Sequence, residues 1–233
     1  MRIFVSPLVA GDQVVRGDEH HYLSRVRRAA AGDTLELVDG AGSRAQAIIL
    51  AIGETETSLR VGAVEIIEDL PPRIRALIPF IKGDRMDTCL EKLVEVGVDE
   101  IVVYPAARAV VKLDGERRNA RIEHYQSSLM AAGRQSGRAA IPAISAASSL
   151  ASALEALPAS GVRVVLDPSA ERGDIPAGDH VTIISGPEGG FAPAELDALA
   201  AANFHAIGLG PRVLRAETAP IVAVAVIRAA TRS

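Results

Sequence analysis

A single cysteine, Cys89, stands in 233 residues, so no disulfide can close within the chain and no cysteine-rich metal site can be assembled. The five histidines, at 20, 21, 124, 180 and 205, form no H-x-x-x-H pair and have no acid at ligand spacing, so no metal is expected. No run of about 18 uncharged apolar residues occurs, and no membrane partner is expected. The opening MRIFVSPLVAGDQ is too short in its apolar part for a signal peptide and reads as a first strand. A reduced, cytoplasmic setting follows as the default. Also missing are the G-x-S-x-G elbow of serine hydrolases, the dinucleotide pattern G-x-G-x-x-G and the Lys-Ser/Thr ending of a phosphate loop.

What is present is a soluble, globular balance, 48% hydrophobic and 23% charged, enough for a real core. The net charge of −4 is unevenly spread. Residues 105–140 hold seven basic side chains (Arg108, Lys112, Arg117, Arg118, Arg121, Arg134, Arg138) against three acidic, and residues 205–233 hold four against one. Between them, residues 141–204 hold two against eight. Two basic segments around an acidic one fit a localised anionic partner such as RNA. Arg117, Arg118 and Arg121 fit the solvated face of a helix equally well.

Residues 1–70 read mostly as strand: RIFV (2–5), TLELV (34–38), AQAIILAI (45–52) and TSLRVGAVEII (57–67), rich in β-branched residues and separated by turn signals. Asp39-Gly40-Ala41-Gly42 suits a hairpin turn. One helix interrupts the strands, with Asp18 as its cap and Gly32 as its stop. Tyr22, Leu23 and Val26 give it an apolar stripe, with Arg25 and Arg28 largely on the other side. A small barrel over 1–70 is expected. Asp69-Leu70-Pro71-Pro72 is a natural linker. Over 71–233, strands near 74–81, 100–105, 162–167, 180–185 and 205–209, with a weaker one near Ile141, alternate with helices near 85–96, 116–132, 148–157, 193–202 and 217–231. That alternation predicts an α/β domain with a mainly parallel sheet. Cys89 falls among the core-facing positions of the 85–96 helix rather than at a nucleophile's place.

In open parallel sheets ligands bind beyond the carboxyl ends of strands. Three of the loops there are unusual: Asp167-Pro168; Gly186-Pro187-Glu188-Gly189-Gly190 leading into Phe191-Ala192-Pro193; and Gly210-Pro211-Arg212-Val213-Leu214-Arg215-Ala216-Glu217-Thr218. The glycines bare a backbone that a flat ligand can approach, and a tight strand-to-helix turn accounts for them as well. Arg212 and Arg215 bring guanidinium forks suited to phosphate or carboxylate oxygens. Glu217 opens an apolar helical segment, where an acid complements the helix N-terminus; Glu195 and Asp197 sit likewise and receive no functional role.

IISGPEGGF (183–191) and LGPRVLRAETA (209–219), supported by KGDRMDTCLEKLVEVGV (82–98) and GRQSGR (133–138), resemble the RsmE family of 16S ribosomal RNA uracil-N3 methyltransferases, within the SPOUT class. The resemblance covers essentially the whole chain. It implies a PUA-like RNA-binding barrel over 1–70 and a SPOUT domain over 71–233 tied in a trefoil knot, which no periodicity reveals. It further implies a homodimer and S-adenosylmethionine as cofactor. Carried over by position, the cofactor site comprises Leu166, Ser185, Gly186, Pro187, Glu188, Gly189, Gly190, Leu209, Gly210, Val213, Leu214 and Arg215. Ser185 departs from the branched apolar residue often found before the glycine loop.

The implied substrate is a uridine of 16S ribosomal RNA in the small subunit. Uracil N3 holds a proton and is a poor nucleophile until it leaves, so catalysis needs a base or cations that stabilise the anion. Glu188 and Glu217 are the candidates for the base, and Arg134, Arg138, Arg212 and Arg215 for the cations, Arg215 foremost. Arg25, Arg28, Arg134, Arg138 and Arg212 are the expected RNA contacts. Two other functions remain open: a related enzyme acting on ribose 2′-OH or on transfer RNA, and a noncatalytic RNA-binding assembly factor.

Overall fold

The computed structural model describes residues 1–67, 71–109 and 115–231. Asp69 and Leu70 of the expected linker, and Lys112 of the basic segment, lie outside the described residues. The chain divides into two units, one of Met1–Asp69 with Gly133–Ile141, the other of Leu70–Ala132 with Pro142–Ser233.

The first unit is built on a five-stranded mixed sheet. Its strands are β1 (Arg2–Phe4), β2 (Gly11–Arg16), β3 (Thr34–Val38), β4 (Ser43–Ile52) and β5 (Glu56–Ile66), in the order β1-β3-β4-β5-β2. β1 runs parallel to β3 and the other pairs are antiparallel. Alternation along β4 sends Ala45, Ala47 and Ile49 inward and Gln46, Ile48 and Leu50 outward. The inward set joins Ile3, Leu23, Leu35, Leu37 and Leu59 in one core. β2 was not foreseen, because GDQVVR carries only two apolar residues and buries only Val15. It needs no more, as a strand at the end of the sheet bonded along one side.

The helix of this unit is shorter than expected. α1 (Gly17–His21) passes into a π-helical segment, Tyr22–Val26, and the chain turns at Arg28, whose φ is +50°. Gly32 therefore ends nothing, and Asp18 lies inside the first turn rather than capping it. Leu23 is buried but Val26 is exposed, so the apolar stripe is narrower than its spacing predicts.

The segment Gly133–Ile141 has a packing role that the sequence did not disclose. A Cβ on Gly133 would stand 2.0 Å from the Cδ1 of Ile141. The Arg134 guanidinium lies 4.9 Å from the ring centre of Tyr22 and 5.6 Å from that of Phe4, and pairs with Glu19. Burial raises the Glu19 carboxyl above its ordinary value even though Arg134 pulls it down.

The second unit is a six-stranded parallel sheet of β6 (Arg73–Pro79), β7 (Glu100–Tyr104), β8 (Ala143–Ala146), β9 (Val162–Leu166), β10 (His180–Ser185) and β11 (His205–Ile207), in the order β11-β9-β10-β6-β7-β8. Its helices are α2 (Asp84–Val96), α3 (Gly115–Ser136), α4 (Leu150–Glu155), α5 (Pro193–Ala201) and α6 (Thr218–Ala230). The last turn of α3, from Gly133, counts with the first unit. The chain proceeds outward from β6 to β8, then continues on the other side, with β10 inserted between β9 and β6. The reversal between β6 and β10 is where such a sheet opens a crevice at its carboxyl end.

α6 packs on α2, β6 and β10, and Arg228 fastens it. That guanidinium donates to the Gly97 carbonyl at 2.6 and 2.9 Å, to the Pro72 carbonyl at 2.8 Å and to Asp99 at 2.7 Å. Asp99, nearly buried, also accepts from the Ile74 amide at 2.6 Å. A charged pair so little exposed is held by the hydrogen bonds both partners make around it.

Candidate functional site

Beyond the carboxyl ends of β6, β9, β10 and β11 the second unit encloses a cleft of about 570 Å³, within the range of small-molecule sites. Its walls are Arg85 from the first turn of α2; Leu166–Ser169 at the end of β9; Ser185–Glu188 with Gly190 and Phe191 at the end of β10; Ile207 to Ala216 in part at the end of β11; and Leu196 of α5 and Ala219 of α6. The sequence-predicted residues Leu166, Ser185, Gly186, Pro187, Glu188, Gly190, Leu209, Gly210, Arg212, Val213, Leu214 and Arg215 all line it.

Two predicted residues stand elsewhere. Gly189 turns away from the cleft, and a Cβ on it would meet Arg108 at 3.1 Å. Arg108 lies over that loop and donates to the Gly189 carbonyl at 3.2 Å. Glu217 lies behind the cleft wall, its side chain 12% exposed, with Arg85 at 3.8 Å and Arg215 at 3.9 Å. One of its oxygens accepts no hydrogen bond. Burial, reinforced by the Glu217 charge, pushes the Cys89 thiol up to about 12, so Cys89 is an uncharged core residue.

Each loop is held by a local device. Asp167 accepts from the Ser169 amide at 2.8 Å and its hydroxyl at 2.7 Å, folding the turn after β9. The Gly208 amide donates to the Glu171 carbonyl at 2.9 Å, joining the β9 and β11 loops. Gly186 lets the Phe191 ring close over it; a Cβ there would stand 3.0 Å from the ring. Gly190 has a φ of +68°, which glycine adopts without penalty. Glu195, to which sequence gave no function, accepts from the Ala192 amide at 2.8 Å and the Ala107 amide at 2.9 Å. It ties the start of α5 to the loop after β7. The Tyr104 hydroxyl donates to the Ser185 carbonyl at 2.7 Å. Burial, then the Glu195 charge, holds that phenol well above its ordinary value, so it stays a donor.

The cleft is therefore mostly apolar along Leu166, Pro187, Leu209 and Leu214, with bare backbone at Gly190 and Gly210. It is cationic at its margin, where the Arg215 side chain is 78% exposed. Arg85 was missed as a site residue, although KGDRMD carried part of the resemblance; its Nη2 lies 2.8 Å from Glu188. Asp167, Pro168 and Phe191 belong to loops that the sequence marked but were not among its predicted contacts; Ser169, Leu196, Ile207, Ala216 and Ala219 reach the cleft through tertiary contact alone.

The expected RNA contacts fall in two places. Arg25 and Arg28 are exposed and Arg138 half-buried in the first unit, and Arg212 stands at the cleft of the second. Arg134 is already engaged by Glu19, Phe4 and Tyr22, so a phosphate would have to compete with these partners. No helix among the described residues is long and apolar enough to cross a membrane.

Residues 68–228 match the model of an RNA methyltransferase domain, and residues 15–61 that of an RNA methyltransferase PUA domain. Ribosomal RNA small subunit methyltransferase E of Mycobacterium bovis is 32% identical over 222 residues, covering 92% of this chain and 85% of that protein. The ribosomal RNA small subunit methyltransferase E of Neisseria gonorrhoeae, solved bound to S-adenosyl methionine, superposes with a TM-score of 0.85 at 29% identity, covering 99% of this chain and 97% of that one. A Legionella pneumophila protein solved in complex with the cofactor SAM gives 0.88 at 28% identity, covering 98% and 97%.

Proposed function

The chain belongs to the ribosomal RNA small subunit methyltransferase E family, and from that premise we propose that it methylates N3 of one uridine in small-subunit ribosomal RNA, using S-adenosylmethionine. One observation carries this function: the GPEGG and LGPRVLR loops, on either side of α5 and β11, wall a single cleft of suitable size at the carboxyl ends of β10 and β11. The residues fit the cofactor. Leu166, Leu209 and Leu214 offer apolar surface to a purine, and the bare backbone around Gly186, Gly190 and Gly210 offers amide donors and carbonyl acceptors.

When bound, S-adenosylmethionine supplies a methyl group activated on a sulfonium. Methylation at N3 forms a nitrogen–carbon bond as the methyl–sulfur bond breaks, and the N3 proton leaves. In this chain Arg212 and Arg215 stand at the cleft to stabilise the negative charge shared by uracil O2 and O4. Glu188 and Glu217, candidates for a base from sequence, both face Arg85. We therefore assign the proton to solvent and the stabilisation of the anion to the arginines. Arg25, Arg28, Arg138 and Arg212 are assigned to the RNA backbone, and Arg134 to the packing of segment 133–141.

Two further features belong to the proposal. The chain leaves β11 at the sheet edge, yet α6 returns to α2, β6 and β10 in its middle, which supports the trefoil knot. Ala225 and Val226 are exposed on α6, and we assign this face to a second copy of the chain. The enzyme acts in the cytoplasm, where small subunits assemble. Mapping methylated nucleotides in ribosomal RNA from a deletion strain tests the function. Loss of one N3-methyluridine is the expected result. Loss of a ribose methylation or a transfer-RNA mark would replace the proposal with a sister specificity, and an unchanged map with no cofactor binding would make the chain an assembly factor.

A further inference from the structure

The position of Arg85 is odd for a helix residue. It is the second residue of α2, where a cation opposes the helix dipole. Its guanidinium reaches across the cleft wall instead, with Nη2 2.8 Å from Glu188 and Nη1 3.8 Å from Glu217. These three residues come from the segments after β6, β10 and β11. Glu217 is nearly buried, and one of its oxygens accepts no hydrogen bond. The titratable and charged groups facing it are Arg85 and Cys89 from α2, Arg215 from its own loop and, across Arg85, Glu188. Arg215 points largely into solvent, so its charge is screened. Arg85 is thus the cation that balances two carboxylates beside the cleft.

We propose that Arg85 is a positioning residue for methyl transfer: it neutralises Glu188 and Glu217 together and so keeps the cleft hospitable to a uracil anion. This rests on the uracil-N3 function proposed above. An uncompensated carboxylate near a developing anion raises the pKa for forming it by about one unit or more. Below that pKa the rate follows the anion fraction, so loss of Arg85 lowers kcat about tenfold at neutral pH and moves the pH profile of kcat to the alkaline side by about one unit. KM for the cofactor changes less than kcat, since the apolar and backbone contacts of the cleft remain.

The test compares wild type, Arg85→Gln, Arg85→Lys and the double variant Arg85→Gln/Glu217→Gln. Each is measured for S-adenosylmethionine binding by calorimetry, thermal melting without ligand, and single-turnover methylation of small-subunit RNA across pH 6–10. The expected result is an alkaline shift in Arg85→Gln, partial recovery in Arg85→Lys, and a part return toward the wild-type profile when Glu217→Gln removes the more buried of the two stranded charges, Glu188 remaining. A purely structural arginine would give variants that melt early and that no second neutral substitution rescues. An unshifted profile in a folded Arg85→Gln protein, or no rescue by Glu217→Gln, overturns the role of Arg85. A wild-type protein that binds no cofactor, or methylates another position, overturns instead the function on which it rests.

Discussion

Gly208→Ala separates the geometry of the cleft from the stability of the fold. A Cβ on Gly208 would stand 2.4 Å from the Ala170 carbonyl oxygen and 3.3 Å from that of Glu171. Both are backbone atoms, so no side chain can swing aside, and the segments must part by about 1 Å to restore ordinary contact. The same two segments present Asp167–Ser169 and Leu209–Gly210 to the cleft. Overpacking of this kind costs about 1–3 kcal/mol. If about 2 kcal/mol of it must be met to regain the binding geometry, cofactor affinity falls about thirtyfold. The matched control is Gly189→Ala, whose Cβ would meet Arg108 at 3.1 Å, in an exposed loop facing away from the cleft. It is expected to stay within about threefold of wild type, since the nearest atom is the Arg108 Cβ at 3.1 Å rather than a carbonyl at 2.4 Å, and a shift of a few tenths of an ångström relieves it. Calorimetric titration with S-adenosylmethionine, with melting curves to verify folding, decides the matter. Wild-type affinity in Gly208→Ala, or a larger loss in Gly189→Ala, would refute the assignment of the cleft walls.

Three other outcomes follow from the packing. Arg228→Met leaves the buried Asp99 without the guanidinium charge and should cost about 3 kcal/mol, read as a fall in the denaturation midpoint at constant m; a loss below about 1 kcal/mol would show that α6 is not fastened there. Arg134→Met should destabilise the protein by about 2–3 kcal/mol, by removing the Glu19 pair and the contacts with Tyr22 and Phe4, while leaving the salt slope of RNA binding unchanged; a flatter slope in filter binding would return Arg134 to the RNA face. Burial raises the Asp39 carboxyl, but hydrogen bonds from the Ser43 side chain and from the Ser43 and Ala41 amides outweigh it and hold the pKa below the usual value. Its stabilisation is therefore present above the ordinary carboxylate range and lost as pH falls through the lowered folded value. Acid titration of melting temperature should show less loss in Asp39→Asn than in wild type, and parallel curves would contradict this.

The sequence by itself determined the alternation of strand and helix over 71–233, because strand and helix periods are local properties of four to twenty residues. It also marked the loops that line the cleft, not through their glycines, which a tight turn explains as well, but through the two C-terminal motifs taken together. It was blind wherever a residue's meaning depends on a distant partner. β2 is a strand because β5 offers it an edge, not because GDQVVR prefers to extend. Arg134 was an expected RNA contact, and nothing local in GRQSGR announced that Phe4, Tyr22 and Glu19 would surround it or that Ile141 would press on Gly133. Gly189 and Gly190 are neighbours with the same chemistry, yet the turn that carries them shows one to Arg108 and the other to the cleft. Arg85 was one of five basic side chains set among six acidic ones in residues 73–104. Only the convergence of the segments after β6, β10 and β11 gave it two carboxylates to balance, because the energy of a charge is set by what surrounds it in space.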